Sequence, residues 1–214
     1  MTSKKLPELQ APKFDFKHLD LKKAFNMFIE ILKLNKTEIK KVAGTGKIDT
    51  AALIFLLIGA FAGPIGYMVF GYKVFLATVR IGIGNLITQG VFTAIIVVAA
   101  MLLITLVATR LFKGKGNFLG IFRVLGLAYG LNVVMFFAAL LPSIGGILSL
   151  LAGVWMIAVM YVAISEIFSL DATNTILTML VSIIALMIVS AIFDSITGGY
   201  GGYQLQMLHF NAML

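Results

Sequence analysis

Residues 114–168 read GKGNFLGIFRVLGLAYGLNVVMFFAALLPSIGGILSLLAGVWMIAVMYVAISEIF. A basic, glycine-broken turn leads into an apolar run at 118–141, an uncharged break at Pro142-Ser143-Ile144-Gly145-Gly146 follows, and a second apolar run ends near Glu166. About 20 residues of helix cross the hydrocarbon core of a bilayer, and each run has that length. The link is too short for anything but an antiparallel pair. The stretch therefore predicts a transmembrane helical hairpin with its charged ends on one side.

Outward from this hairpin the same character persists. The chain of 214 residues is 60% hydrophobic and 12% charged, where soluble domains run about 25% charged, and its mean hydropathy is +1.04. The fold class expected is all-α, a polytopic membrane protein with five transmembrane helices. They fall at about 50–71, 91–111, 118–141, 147–168 and 175–193, within one membrane domain at 50–195. Residues 1–13, polar and interrupted by Pro7 and Pro12, read as a disordered lead. No short apolar core before a cleavage site is visible there, so the first span is expected to act as its own insertion signal.

Residues 14–48 read as an amphipathic helix and hinge. Leu21, Phe25, Phe28 and Leu32 recur at helical steps, and Asp20 is a plausible N-cap. Lys22, Lys23, Lys33, Lys36, Lys40 and Lys41 occupy the other faces. Such a helix suits the headgroup plane or the cytoplasmic end of the bundle, and its lysines form the candidate surface for anionic lipid or for a cytoplasmic protein partner through 14–42. Gly46-Lys47 is not a phosphate loop, because Lys41 stands where the first glycine belongs and Ile48 where Ser or Thr belongs.

Gly59 and Gly63 in the first span, and Gly126 and Gly130 in the third, are spaced for close helix packing. Pro64 and Gly66 predict a bend. Residues 72–90 carry Lys73, Arg80, Asn85 and Gln89 and read as a second interfacial helix on the far side. Asn132 is a polar group at mid-span, suited to an interhelical hydrogen bond or a substrate contact. Trp155 reads as core. Residues 196–214 form a Gly/Tyr-rich tail.

Charge sets the orientation. Eleven lysines precede the first span, and Arg110, Lys113, Lys115 and Arg123 bring that side to fifteen of the seventeen basic residues. The positive-inside rule then places the N-terminus in the cytoplasm. Glu166 shares that side, and an ion pair between Arg123 and Glu166 is expected because an unpaired charge at that depth is costly. The net charge of +8 is lysine beside a membrane, so no nucleic acid partner is expected. The chain lacks cysteine, has only His18 and His209 as histidines, and carries no hydrolase or metalloprotease motif. No catalytic residue, cofactor or metal is expected. A homo-oligomer is compatible with the bundle.

The hairpin resembles the Yip1 domain family. The residues that carry the likeness are Gly114-Lys115-Gly116-Asn117-Phe118, Arg123-Val124-Leu125-Gly126-Leu127-Ala128-Tyr129, the Pro142-Ser143-Ile144-Gly145 turn and Trp155. The resemblance implies five membrane helices behind a polar N-terminal segment. It implies a non-enzymatic membrane-organising or adaptor role, since eukaryotic relatives are linked to Rab GTPases and vesicle traffic between ER and Golgi. The short N-terminal segment is closer to the prokaryotic form, which would place the protein in a prokaryotic cell membrane; a eukaryotic form would sit in the ER or Golgi. A small-solute or ion transporter is the alternative. Asn132, Thr105, Thr178, Ser182 and Ser190, with the Pro64 break, would line its path.

Overall fold

The computed structural model describes residues 11–17, 19–74 and 77–197. His18, His209 and the Gly/Tyr-rich tail from 198 onward lie outside the described residues, as does the lead before 11. Among the described residues, five segments are long and apolar enough to cross a membrane: Gly46–Phe70, Ile83–Arg110, Phe118–Leu140, Ser143–Phe168 and Ala172–Val189. The protein is a multi-pass membrane protein, all-α among the described residues apart from one small hairpin.

The N-terminal region departs from the single helix expected over 14–42. Residues 11–17 are not helical. Helix α1 spans Leu21–Leu32, with the Asp20 side chain accepting from the Lys23 amide as its cap. The chain then turns at Leu34, whose φ is 59°, and Asn35 caps α2, Lys36–Gly44, by accepting from the Glu38 amide. An Asn with a free side-chain oxygen competes with the helix for its own backbone, which is why the break falls there. The buried face of α1 is Ala24, Met27, Phe28 and Ile31. Leu21 and Phe25, expected on the apolar stripe, are exposed. Both helices dock on the bundle, where Ile31, Ile39 and Val42 are fully buried in the main core.

Helix α3, Asp49–Phe70, continues through Pro64 and stops at Gly71, whose φ of 75° suits glycine alone. Of the separate helix expected over 72–90, only residues 83–90 are helical, and they belong to the next span. Before them strands β1, Tyr72–Val74, and β2, Ala77–Val79, pair antiparallel with Tyr72 opposite Val79, as β-branched and aromatic residues favour. Helix α4, Ile83–Arg110, starts eight residues before the expected 91 and takes in Asn85 and Gln89.

The third span is composite: α5, Phe118–Tyr129, a 3-10 turn at Gly130–Val133, and α6, Val134–Leu140. The expected break at 142–146 is instead the first turn of α7, Pro142–Phe168. Proline is at home at a helix start, where its missing N–H has no partner to lose. Only Leu141 lies between the two helices, and Gly145 faces the Ala138 backbone so closely that a Cβ there would collide with its carbonyl. Helix α8, Ala172–Thr197, runs past Asp194, where the span was expected to end.

The glycine pairs seat α3 beside α5 and α6. A Cβ on Gly59 would strike the Tyr129 carbonyl, one on Gly126 would come within 3.0 Å of the Ala52 carbonyl, and one on Gly130 within 2.7 Å of the Phe55 ring. Gly63 has room, its Cβ position lying 3.6 Å from Met135. Helices α3 and α5 run in the same direction, so their first turns meet at one end. That end also holds α2, residues 111–117 and the turn at 169–171: the Lys115 amide donates to the Phe168 carbonyl at 3.0 Å.

Candidate functional site

Two charged clusters organise this end. The first is buried. Arg123, on the second turn of α5, donates from Nε to Asp49 Oδ1 at 2.5 Å and from Nη1 to the Ala43 carbonyl at 2.7 Å. Asp49 opens α3. Its other oxygen accepts the Lys13 amide at 2.9 Å, and Thr50 Oγ1 accepts the Asp15 amide at 2.7 Å. Residues 13–15 are thereby tied to the start of the first span, and one carboxylate holds three parts of the chain together.

The expected pair of Arg123 with Glu166 does not form. Glu166 lies on the side of α7 that faces α2, where Lys36 Nζ approaches at 3.1 Å and Lys40 Nζ at 2.9 Å. Arg123 faces the parallel helix α3 instead, and the shorter Asp49, 74 residues earlier in the chain, accepts from its Nε. A buried guanidinium needs a carboxylate and a further acceptor to offset its desolvation, and Asp49 with the Ala43 carbonyl supplies both. The sequence held a signal for this: Asp49 is the acidic residue next to the first span, on the side already assigned to Arg123.

The second cluster is the outer surface of α1 and α2. Lys22, Lys23, Lys33, Lys36, Lys40 and Lys41 are all exposed. Four of them are engaged: Lys33 with Glu30 at 2.8 Å, Lys41 with Glu38 at 3.1 Å, and Lys36 and Lys40 with Glu166. Asn35 Nδ2 donates to the other oxygen of Glu30 at 2.8 Å. The hydrogen bonds from Lys33 and then Asn35 hold the Glu30 carboxyl below the ordinary glutamate range. Lys22, Lys23, Lys47, Lys113 and Lys115 are exposed and form no ion pair with another described residue.

Trp155 is not core. It is 44% exposed, and its indole N–H donates to the Leu32 carbonyl at 2.9 Å, tying the end of α1 to the middle of α7. Periodicity could not show this, because it depends on where α1 docks.

The polar residues considered for a transport path do not converge. Thr105 and Thr178 donate to Met101 and Asn174 of their own helices, as hydroxyls in helices commonly do. Ser182, with Thr175, lies on the buried face of α8 with no partner among the described residues. Asn132 is half-buried in the 3-10 turn of the third span, and Pro64 stays within α3. The side chain of Ser190 lies outside the described residues. No group of three His, Cys, Asp or Glu that could hold a metal occurs among the described residues.

No curated protein and no solved structure matches the chain. A family model described as Yip1 domain matches residues 39–193, from α2 through all five spans. That match includes Asp49, Arg123, Trp155 and Glu166, and with it the chain belongs to the Yip1 domain family.

Proposed function

We propose that the protein is a non-enzymatic membrane-organising or adaptor protein whose basic end faces the cytoplasm and recruits anionic lipid headgroups. One observation carries the reading: five lysines, at 22, 23, 47, 113 and 115, stand exposed at one end of a membrane bundle without an acidic partner among the described residues. Lysine near an anionic leaflet gains about 1 kcal/mol per residue. A cytoplasmic protein with an acidic surface is the other occupant of the same face, in keeping with the adaptor role that the family resemblance implies.

Deleting residues 1–42 would not test this cleanly, because Ile31, Ile39 and Val42 belong to the core. Charge reversal would. The protein, reconstituted in mixed phosphatidylcholine and phosphatidylglycerol, is expected to restrict spin-labelled phosphatidylglycerol in preference to phosphatidylcholine. Lys22→Glu/Lys23→Glu is expected to reduce that preference, and raised salt to weaken it. Equal restriction of the two lipids by the unaltered protein would defeat the lipid reading. Proteoliposomes are expected to leak no ion or small solute beyond empty vesicles; a specific flux would favour the transporter.

A further inference from the structure

The apolar surface that the bundle offers to lipid is uneven around its circumference. On α8 it runs along the helix, with exposed apolar positions from Ile176 to Val189, and on α4 it covers Ile83 to Ile95 and returns at Leu106. On α7 the exposed positions are confined to 143–157, and none follows between 158 and 168. Helix α3 shows none before Leu57, and the third span none between 118 and 132. The covered halves of these three spans lie at the end where α1 and α2 dock.

Lipid acyl chains do not replace water over that covered region. The outer surface of the α1–α2 pair is charged: the side chains of Lys33, Lys36 and Lys40 are 64%, 68% and 61% exposed, each bound to a glutamate beside it. Charged groups in the bilayer interior are costly, so headgroups or water must reach this surface. Lys33 directly follows Leu32, and the Leu32 carbonyl is held by Trp155. The polar boundary on this side of the molecule therefore comes down to the level of Trp155.

Trp155 stands thirteen residues from each end of α7, about 20 Å at a rise of 1.5 Å per residue. The exposed stretch at 143–157 is about 22 Å long on the same measure, against about 30 Å for the hydrocarbon core. A mismatch of this kind thins the bilayer locally or draws headgroups down.

We infer that the protein is a local bilayer-thinning device: the α1–α2 pair pulls the headgroup boundary of one leaflet down to Trp155 along α3, α5 and α7, while α4 and α8 remain in bilayer of ordinary thickness. The ligand is the lipid bilayer itself, and the effect follows from a short apolar face, so it does not depend on headgroup charge.

The test uses the single tryptophan of the chain. The protein is reconstituted in zwitterionic phosphatidylcholine, which keeps the outcome separate from the anionic-lipid reading. Its fluorescence is read with lipids brominated near the carbonyl end or near the chain terminus. Shallow bromines are expected to quench Trp155 about twofold more than deep ones, as at an interfacial tryptophan. A variant carrying Trp155→Phe and Leu150→Trp is expected to show the reverse, because the exposed Leu150 stands at the middle of the exposed stretch. Stronger quenching of Trp155 by the deep bromines, equal quenching by both, or quenching by neither would overturn the inference. As a measurement needing no variant, the unaltered protein is expected to unfold at a higher temperature in short-chain than in long-chain phosphatidylcholine. The opposite order would also overturn it.

Discussion

Arg123 and Asp49, 74 residues apart in the chain, form a buried ion pair in which Nε meets Oδ1 at 2.5 Å. Their side chains are 10% and 2% exposed. Removing one partner of such a pair typically costs about 3–5 kcal/mol, because the other charge is left buried without compensation. Asp49→Asn and Arg123→Gln are each expected to lower the unfolding midpoint in detergent strongly, and the double variant to lose much less than the sum. In the same measurement Glu166→Gln and Arg123→Gln are expected to combine additively, since Glu166 is bound by Lys36 and Lys40 instead.

The glycines of α3 differ in what they face. A Cβ at Gly59 meets the Tyr129 carbonyl, a backbone atom that cannot move aside without moving α5. Gly59→Ala is expected to cost about 1–3 kcal/mol, as overpacked cores do. At Gly63 the same methyl group finds ordinary contact distance to Met135. Gly63→Ala is therefore expected to be neutral or to gain up to about 1 kcal/mol from helix propensity. Parallel thermal-shift measurements on the two variants check the contrast.

The hydrogen bond from Trp155 to the Leu32 carbonyl holds the end of α1 against α7. Trp155→Phe keeps an aromatic ring and loses the donor, at a cost of about 1 kcal/mol. Limited proteolysis after Lys33 is expected to accelerate while the spans stay intact. Unchanged cleavage would show that α1 is held by its buried face alone.

Glu30 receives Lys33 Nζ and Asn35 Nδ2 at the same turn. Its carboxyl lies below the ordinary value in the folded protein, so the stabilisation it gives is present above the unfolded pKa of about 4.3 and is lost as pH falls through the lower folded value. Amide exchange at residues 33–35, corrected for its intrinsic pH dependence, is expected to show constant protection from neutral pH down to that range and loss below it. Glu30→Gln should weaken protection already at neutral pH and remove the pH dependence.

Much of this architecture was legible in the sequence. Asp20 caps α1 where its position before an apolar-periodic run indicated, and Gly126 and Gly130 of the third span lie against Ala52 and Phe55 of α3. The misread elements fall where local patterns support two outcomes. Pro142 could end one helix or begin the next, and with a single residue of link it begins α7. The segment after Gly71 has helical spacing of its polar groups but also β-branched and aromatic residues, and local pairing of Tyr72 with Val79 decides for strands. The buried face of α1 is shifted from that stripe: Ala24, Met27 and Ile31 meet the bundle, Phe28 lies at the edge, and Leu21 and Phe25 are left exposed.

What the sequence determined by itself is the number and placement of the spans, because hydrocarbon tests each helix separately for length and apolarity, and both are local properties. The ion pairs and the docking of α1 were decided only by the tertiary structure. Asp49 and Glu166 were both among the carboxylates on the Arg123 side of the membrane, and the parallel register of α3 and α5 selected Asp49. A charge buried among packed helices takes the partner that the packing presents, and no spacing along one chain segment encodes that choice.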